Sequence, residues 1–215
     1  MNEFACNSIT GIVLCGGKSN RMKRAKARLP FGNELLLQRV VHRVLQEVGQ
    51  VVVVAAPRQQ LPKLPTNVDV VRDSVAWEGP LHGFFTGLQK GVSHDGWVFL
   101  TGCDVPFLNP NLIGLLKQNI SNKVDAVVPF LEGFYHPLTA LYHTSLLPIV
   151  ESLLNIGERR FQTLFEYCRV LPVEKDNLRI VDPELLSFVS MNTPFAYRAA
   201  LKKLSEQRGC SNCVY

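Results

Sequence analysis

Short apolar stretches alternate with amphipathic stretches along most of this chain. The apolar runs predict buried strands at residues 9–15, 51–54, 68–71 and 96–101. Between the first two runs, apolar residues recur every three to four positions over 33–48, which predicts a helix that packs one face against a sheet. Strands that alternate with helices in this way form mainly parallel sheets covered on both faces. The pattern therefore predicts an α/β domain of three layers.

The rest of the chain continues the alternation. Further helices are predicted at 79–90, 109–119, 144–155, 159–167 and 193–207. Further strands are predicted at 126–129, 135–142 and 170–173. Asn33, Asn109 and Thr193 precede predicted helices, and their side chains are typical helix N-caps. Proline follows Asn109 and Thr193 at the first helical position, which supports both helix starts.

The composition is that of one large domain. The chain has 215 residues, and its 47% apolar content is enough for a sizeable core. With no repeat or linker in view, we predict an N-terminal extension at 1–8, a domain over 9–207 and a C-terminal tail at 208–215. The net charge of +5 is dispersed, which suits an anionic substrate and does not indicate a nucleic-acid partner. Neither a membrane span nor a signal peptide is apparent, so we expect a cytoplasmic protein without a membrane partner.

The cysteines are scattered rather than arranged as a disulfide framework. They are Cys6, Cys15, Cys103, Cys168, Cys210 and Cys213. This spacing predicts reduced thiols, as is usual inside the cell. Cys210 and Cys213 have the spacing of metal ligands, but no second pair accompanies them, so we do not expect a structural zinc site.

The densest polar chemistry follows the first predicted strand. Residues 12–22 read I-V-L-C-G-G-K-S-N-R-M, and Lys26 follows shortly after. Glycines at the end of a strand let backbone N–H groups face outward, and the cations after them can neutralise charge. This combination suits the phosphates of a nucleoside triphosphate. A glycine turn followed by a solvated basic loop is an equal alternative at this point, because Gly-Gly after a strand is common.

Two acidic residues also follow predicted strands. Asp73 comes after the strand at 68–71, and Asp104 comes after the strand at 96–101. Because the carboxyl ends of parallel strands meet at one edge of a sheet, we expect both near the glycine loop. A carboxylate such as Asp104 suits Mg²⁺ bound together with substrate phosphates, although it could instead cap a turn. Asp73 could accept hydrogen bonds from a base or ribose, or cap the residues that follow it.

These stretches resemble the molybdenum cofactor guanylyltransferases, a family within the wider nucleotidyltransferase superfamily of Rossmann-like fold. The opening stretch is similar to the signature L-x-G-G-x-S-x-R-M-G-x-D-K of that family. Further similar motifs follow in the same order, namely G-P-L-x-G at 79–83, C-D-x-P at 103–106, His-Pro at 136–137, G-E-R-R at 157–160 and N-T-P at 192–194. The resemblance covers about residues 9–200 and implies the Rossmann-like nucleotidyltransferase fold. It also implies transfer of GMP from GTP to molybdopterin-bound molybdenum, with release of pyrophosphate.

The resemblance implies roles for individual residues. The guanine nucleotide would contact a backbone segment made of Leu14, Cys15, Gly16 and Gly17. Lys26 and Arg21 match residues expected at the phosphates, with Arg21 at the β- and γ-phosphates. Asp73 matches an acid that contacts the nucleotide, and Asp104 matches the acid that contacts both nucleotide and Mg²⁺. The acceptor is expected near His136, Arg159 and Asn192. Asn192 matches a position where related nucleotidyltransferases place either a second metal ligand or the acceptor.

Two residues depart from the family signature. Lys23 stands where the signature has glycine, and Ala25 stands where it has aspartate. If that glycine has a positive φ, Lys23 strains the loop. Independently of this, Ala25 lacks a carboxylate that could pair with Lys26 or with the loop backbone. The alternatives are therefore a transferase that uses CTP or another phosphate acceptor such as a sugar phosphate, and a GTP-binding paralogue without catalysis. The family also implies a receiving partner, either a molybdoenzyme or its chaperone.

Overall fold

A computed structural model describes residues 9–16, 25–73, 78–92 and 96–210 of the chain. Its strands are β1 (Thr10–Leu14), β2 (Pro30–Phe31), β3 (Glu34–Leu35), β4 (Gln50–Ala55), β5 (Val68–Arg72), β6 (Trp97–Gly102), β7 (Ala126–Leu131), β8 (Phe134–Tyr135), β9 (Thr139–His143) and β10 (Val170–Glu174). Its α-helices are α1 (Leu36–Leu45), α2 (Pro80–Gly91), α3 (Pro110–Lys117), α4 (Leu147–Asn155), α5 (Phe161–Phe165), α6 (Lys175–Val181) and α7 (Pro194–Cys210). Short 3-10 helices lie at Lys26–Arg28, Thr144–Leu146 and Leu186–Phe188.

One mixed sheet forms the centre of the described chain. Its strand order is β10-β7-β9-β6-β1-β4-β5, and β8 pairs with β7 beside this path. β1 is parallel to β4 and β6, β4 is parallel to β5, and β7 is parallel to β10. Only β8 and β9 run against their neighbours in this sheet as described. The mainly parallel sheet predicted from the sequence is thus confirmed.

Both faces of the sheet are covered, which confirms the three-layer arrangement. Val51 and Val53 of β4 belong to a core shared with α1, α3 and α6. Val52 and Val54 of the same strand belong to a second core with α2, α4 and α5. A strand buried on both faces needs apolar residues at consecutive positions, which explains the valine run of β4. A third cluster joins α7 to the separate β2–β3 hairpin through residues that include Phe31 and Leu204.

Two glycines let α2 lie unusually close to the end of β1. A Cβ atom at Gly87 would stand 2.9 Å from Cγ2 of Ile12. A Cβ atom at Gly83 would stand 3.2 Å from Cδ2 of Leu14. These glycines are four residues apart and therefore share one face of the helix. The second glycine of the G-P-L-x-G motif thus brings the start of α2 against the strand that leads into the glycine loop.

Several predicted boundaries were wrong, for physical reasons. The helix predicted from Asn33 begins at Leu36, because Gly32 (φ +69°) and Asn33 form the turn of the β2–β3 hairpin. The strand predicted over 135–142 is divided into β8 and β9 by a turn that contains Pro137. Helix α6 was not predicted, because Leu178 is its one buried residue and an apolar face is nearly absent. Helix α7 extends beyond the predicted end at 207, to Cys210.

Two of the three predicted helix caps are confirmed, whereas the Asn33 cap is wrong because Asn33 lies in the β2–β3 turn. The side chain of Asn109 accepts a hydrogen bond from the N–H of Asn111 at 3.1 Å, at the start of α3. Thr193 Oγ1 accepts from the N–H of Ala196 at 3.1 Å, at the start of α7. Within the described ranges, no helix combines the length and apolar character needed to cross a bilayer.

Candidate active site

The predicted site residues follow strands that are neighbours in the sheet. β6, β1, β4 and β5 lie side by side and run parallel, so the segments after them meet at one edge. Asp104 follows β6, Cys15 follows β1 and Asp73 follows β5. The N–H of Cys103 donates to the carbonyl of Leu14 at 2.9 Å, which joins the β1 and β6 ends directly. The segment 14–16 therefore lies between the two predicted carboxylates.

Lys26 brings together two oxygen atoms from distant parts of the chain. Its Nζ donates to Asp104 Oδ2 at 2.8 Å and to Asn192 Oδ1 at 2.5 Å. Asn192 Nδ2 donates to Ser190 Oγ at 2.7 Å, which leaves Oδ1 to face the lysine. The N–H of Met191 donates to the carbonyl of Asp104 at 2.8 Å and holds the two segments together. The side chains of Lys26 and Asp104 are 18% and 19% exposed, so this cluster is open to solvent on one side.

The cluster contains the donor atoms that a divalent cation would need. Asp104 Oδ2 and Asn192 Oδ1 already converge on one positive charge, the ammonium of Lys26. Carboxylate and amide oxygens are hard ligands, and Mg²⁺ commonly takes one or two protein oxygens together with phosphates and water. The described residues contain no group of three or more His, Cys, Asp or Glu side chains suited to a metal. A metal held here would thus share its coordination with a substrate.

The carboxylate of Asp73 lies against α2. Thr86 Oγ1 donates to Asp73 Oδ1 at 2.9 Å, and His82 Nδ1 lies 2.8 Å from the same oxygen. The histidine contact is not aligned as a hydrogen bond, and its Nδ1 has no hydrogen-bond partner among the described residues. The N–H of Asp73 donates to the carbonyl of Ala55 at 2.9 Å, which fixes the backbone at the end of β5.

The loop after β4 supports the backbone of the segment 14–16. Gln59 Nε2 donates to the carbonyl of Cys15 at 3.0 Å, and its Oε1 accepts from the N–H of Ala56 at 3.0 Å. A Cβ atom at Gly16 would stand 3.1 Å from the Ala56 nitrogen, so any other residue would crowd the Ala56 backbone at this close approach. Gln59 was not predicted as a site residue from the sequence. Nothing in the Pro- and Gln-rich stretch 57–67 distinguishes a supporting amide from a solvated one.

The cysteines beside the site are buried packing residues. Cys15 is 5% exposed and Cys103 is 4% exposed. Burial raises the pKa of Cys15 to about 12 and the pKa of Cys103 well above its usual value. Both thiols therefore stay protonated at neutral pH, and Cys15 can serve the site only through its backbone. Cys15, Cys103 and Cys168 are all free thiols, as predicted.

The residues predicted near the acceptor are not joined to one another by any contact in the described chain. The His136 ring packs edge-on against Phe188, with ring centres 4.9 Å apart, and burial lowers the pKa of His136. The histidine is therefore neutral at pH 7. Arg159 donates from Nε to Glu78 Oε2 at 2.8 Å, and its Nη2 lies 2.7 Å from the same oxygen. This pairing places Arg159 beside the start of α2, whereas Asn192 lies with Lys26.

Two residues assigned to the nucleotide, Gly17 and Arg21, lie outside the described residues, as do Lys23 and Cys213. Their expected roles therefore stay predictions. Ala25 is described and has an extended backbone with φ −63° and ψ 113°, immediately before the 3-10 helix that carries Lys26.

Comparison with known families defines the class of this protein. The family model described as the MobA-like NTP transferase domain matches residues 11–171, more than half of the chain. The chain therefore belongs to the MobA-like NTP transferase family, and it is a nucleotidyltransferase by class. This agrees with the polar cluster at the ends of β1 and β6.

Individual relatives indicate which members of the family this chain resembles. The chain is 33% identical over 208 residues to a probable molybdenum cofactor guanylyltransferase of Mycobacterium tuberculosis, which covers 94% of this chain and 98% of that relative. It is 31% identical over 188 residues to the molybdenum cofactor guanylyltransferase of Desulfosudis oleivorans, which covers 87% of this chain and 91% of the relative. The resemblance inferred from the motifs is thereby confirmed.

Solved structures share the fold. Molybdopterin-guanine dinucleotide biosynthesis protein A from Archaeoglobus fulgidus matches with a TM-score of 0.76 at 23% identity and covers 92% of this chain and 100% of its own. A 2-C-methyl-D-erythritol 4-phosphate cytidylyltransferase from Thermus thermophilus matches with a TM-score of 0.69 at 15% identity and covers 92% of this chain and 99% of its own. These matches confirm the Rossmann-like nucleotidyltransferase fold.

Proposed function

We propose that this protein transfers GMP from GTP to molybdopterin-bound molybdenum, forming the guanine dinucleotide cofactor and pyrophosphate. Two lines of evidence support the proposal. Relatives above 30% identity over most of the chain carry the name of this activity. In addition, Lys26 Nζ is held between Asp104 and Asn192 at the edge where four parallel strand ends meet. A cation next to a carboxylate and an amide is suited to positioning phosphates and neutralising their charge.

The reaction needs no nucleophile from the protein. The terminal phosphate of the acceptor attacks the α-phosphorus of GTP in line, and an oxygen–phosphorus bond forms as the bond to pyrophosphate breaks on the opposite side. Because the acceptor phosphate is already ionised, no base is required, and the protein contributes orientation and charge. In this proposal Lys26 stabilises the negative charge that develops at the α-phosphate. Arg21 is assigned to the leaving pyrophosphate.

The nucleotide is proposed to bind along the strand ends. The backbone of Leu14, Cys15 and Gly16 would face the guanine nucleotide, and the rigid support that Gln59 gives this segment favours the assignment. Asp73 would accept a hydrogen bond from the nucleotide at the far end of the same edge.

Asp104 and Asn192 are the residues proposed to hold Mg²⁺. When bound, the ion would neutralise charge on the phosphate oxygens. An ion held by both oxygens would take the place of the Lys26 ammonium, which contacts the same two atoms. The lysine is then available for the α-phosphate.

The acceptor is assigned to the side of the cluster that faces Asn192. Arg159 would have to exchange Glu78 for an acceptor phosphate, since the two side chains are paired in the structure. His136 is neutral at pH 7 and could offer a hydrogen bond but no charge. A molybdoenzyme or its chaperone is the proposed recipient of the product, and the cytoplasmic location stays a prediction.

A pyrophosphate-release assay tests the proposed function. The purified protein is incubated with Mg²⁺ and each of GTP, CTP, ATP and UTP, with and without molybdopterin-bound molybdenum. We expect release only with GTP and that acceptor. Release with CTP would contradict the donor, and release with a sugar phosphate would contradict the acceptor. Binding of GTP without release would indicate a non-catalytic paralogue.

A further inference from the structure

Two side chains of α2 contact Asp73 but have no role in the proposed reaction. They are His82, the variable position of the G-P-L-x-G motif, and Thr86, one helical turn later. Residues four apart lie on the same face of a helix, and here that face points toward the end of β5. Thr86 is 3% exposed, so its hydroxyl would be costly to bury without the partner it finds in the carboxylate.

We propose that Thr86 and His82 are positioning residues that hold the Asp73 carboxylate ready for the nucleotide. The inference rests on the proposed function, in which Asp73 contacts the nucleotide. Thr86 Oγ1 donates to Oδ1 of Asp73, whereas Oδ2 accepts no hydrogen bond from the part of the chain that the structure describes. One oxygen is thus anchored to the helix. In the proposal, the other oxygen, which accepts no hydrogen bond within the described ranges, receives an N–H or O–H group of the nucleotide.

The anchor is rigid because α2 and Asp73 are both fixed to the sheet. The backbone of Asp73 is hydrogen-bonded to Ala55 of β4, as described above. Gly83 and Gly87 let α2 rest directly on β1, through Leu14 and Ile12. Since the carboxylate is already held in one orientation, binding the nucleotide costs little additional side-chain entropy. Loss of the anchor should therefore weaken nucleotide binding and leave the chemical step nearly unchanged.

His82 is the second and weaker part of the anchor. Its Nδ1 lies 2.8 Å from Asp73 Oδ1, and the His82 side chain is 16% exposed. Its Nδ1 is buried and makes no aligned hydrogen bond with the described residues, so its contact with the carboxylate is weaker than that of Thr86. We therefore expect removal of either side chain to weaken GTP binding, and removal of the His82 side chain to weaken it less.

The test compares Thr86→Val, which removes the hydroxyl at similar size, with Thr86→Ser, which keeps it. GTP binding is measured by calorimetry, and kcat and KM are measured by pyrophosphate release. Thr86→Val should raise the Kd and KM for GTP about tenfold, as expected for a lost hydrogen bond to a charged group, with kcat within about twofold. Thr86→Ser should resemble the wild type. Thr163→Val is the matched control, because Thr163 Oγ1 also donates to a carboxylate, Glu158 Oε2 at 2.8 Å, and GTP affinity should not change.

A double variant separates positioning from packing. If Thr86 acts through Asp73, Thr86→Val should cause no further loss of GTP affinity in an Asp73→Ala background. Equal losses in both backgrounds, or an unchanged Kd in the single variant, would overturn the inference. If Thr86→Val does not fold, His82→Ala is used in the same cycle.

The test also distinguishes this inference from the proposed function. A wild type that binds another nucleotide in place of GTP contradicts the donor proposed above, and the same cycle with that nucleotide then decides the role of Thr86. A wild type that binds none of GTP, CTP, ATP and UTP would overturn both.

Discussion

Replacing Lys26 with methionine should change metal binding and catalysis in opposite directions. Methionine keeps an unbranched side chain, without the terminal atom of lysine, and so removes the ammonium that is bonded to Asp104 Oδ2 at 2.8 Å and to Asn192 Oδ1 at 2.5 Å. In the nucleotide-free protein a divalent cation must displace this ammonium before it can reach the same two oxygens. Lys26→Met should therefore bind the cation more tightly than the wild type while it turns over GTP more slowly.

The size of each effect follows from the contacts of Lys26. A hydrogen bond to a charged group contributes about 1.5–3 kcal/mol, and we take the lower end because the Lys26 and Asp104 side chains are 18% and 19% exposed. In the wild type, the cation must replace an ammonium whose hydrogen bond contributes about 1.5 kcal/mol. Without that ammonium, the cation should bind roughly tenfold more tightly. Loss of a charge-stabilising donor from the reaction typically lowers the rate by about 10²–10³-fold.

The assay uses Mn²⁺ as a paramagnetic substitute for Mg²⁺. Its Kd is measured by electron paramagnetic resonance titration without nucleotide, and turnover is measured separately by pyrophosphate release. Lys175→Met is the control, because it also removes an ammonium from a carboxylate, Glu132 Oε1 at 2.6 Å, outside the candidate site. An unchanged or weaker Mn²⁺ affinity in Lys26→Met would refute the shared position of ammonium and metal. Near-normal turnover would remove Lys26 from the mechanism.

Three further predictions test the site and the packing around it. Asp104→Asn should lower turnover by about 10²–10³-fold with an unchanged circular dichroism spectrum, and near-normal turnover would show that the carboxylate is dispensable. Gly87→Val should overpack the contact between α2 and β1, which costs about 1–3 kcal/mol of stability and lowers the Tm by about 2–4 °C per kcal/mol. Gly49→Val is the control and should change the Tm little, because no atom lies within 4 Å of the added Cβ. Equal Tm values for the two variants would contradict the packing argument. Because burial raises the pKa of Cys15 to about 12 and that of Cys103 well above the usual range, thiolate is scarce at pH 8. Mass spectrometry should therefore find both thiols unmodified by iodoacetamide until guanidinium unfolds the protein, and rapid labelling of the native protein would contradict their burial.

The parallel part of the fold could be predicted from the sequence because its strands and helices have recognisable local patterns of apolar residues. The valine run of β4 and the apolar spacing of α1 identify their elements without any knowledge of the rest of the chain. The antiparallel direction of β9 was not predicted, because direction depends on where the chain turns and not on which residues are apolar. The hairpin of β2 and β3 was missed because strands of two residues are too short to show a period.

The candidate site was predictable where its residues follow strands. Asp104 and Asp73 both come directly after apolar runs, so their place at one sheet edge could be inferred from topology alone. The contact between Lys26 and Asn192 could not be inferred this way, since 166 positions separate them and no strand leads into Asn192. Only the motif resemblance suggested Asn192, and the pairing of Arg159 with Glu78 had no signal in the sequence at all.

The geometry of Lys26 also bears on whether the departures from the family signature impair the protein. Ala25 replaces an aspartate that could have oriented the lysine, and this departure was one reason to keep a non-catalytic paralogue as an alternative. In the structure Lys26 is oriented instead by Asp104 and Asn192, neither of which belongs to the same loop. Ala25 itself has an unstrained extended backbone, so alanine costs nothing in conformation there. The missing aspartate is therefore no argument against catalysis. The remaining departure from the signature is Lys23, and turnover in the pyrophosphate-release assay would show that it is tolerated.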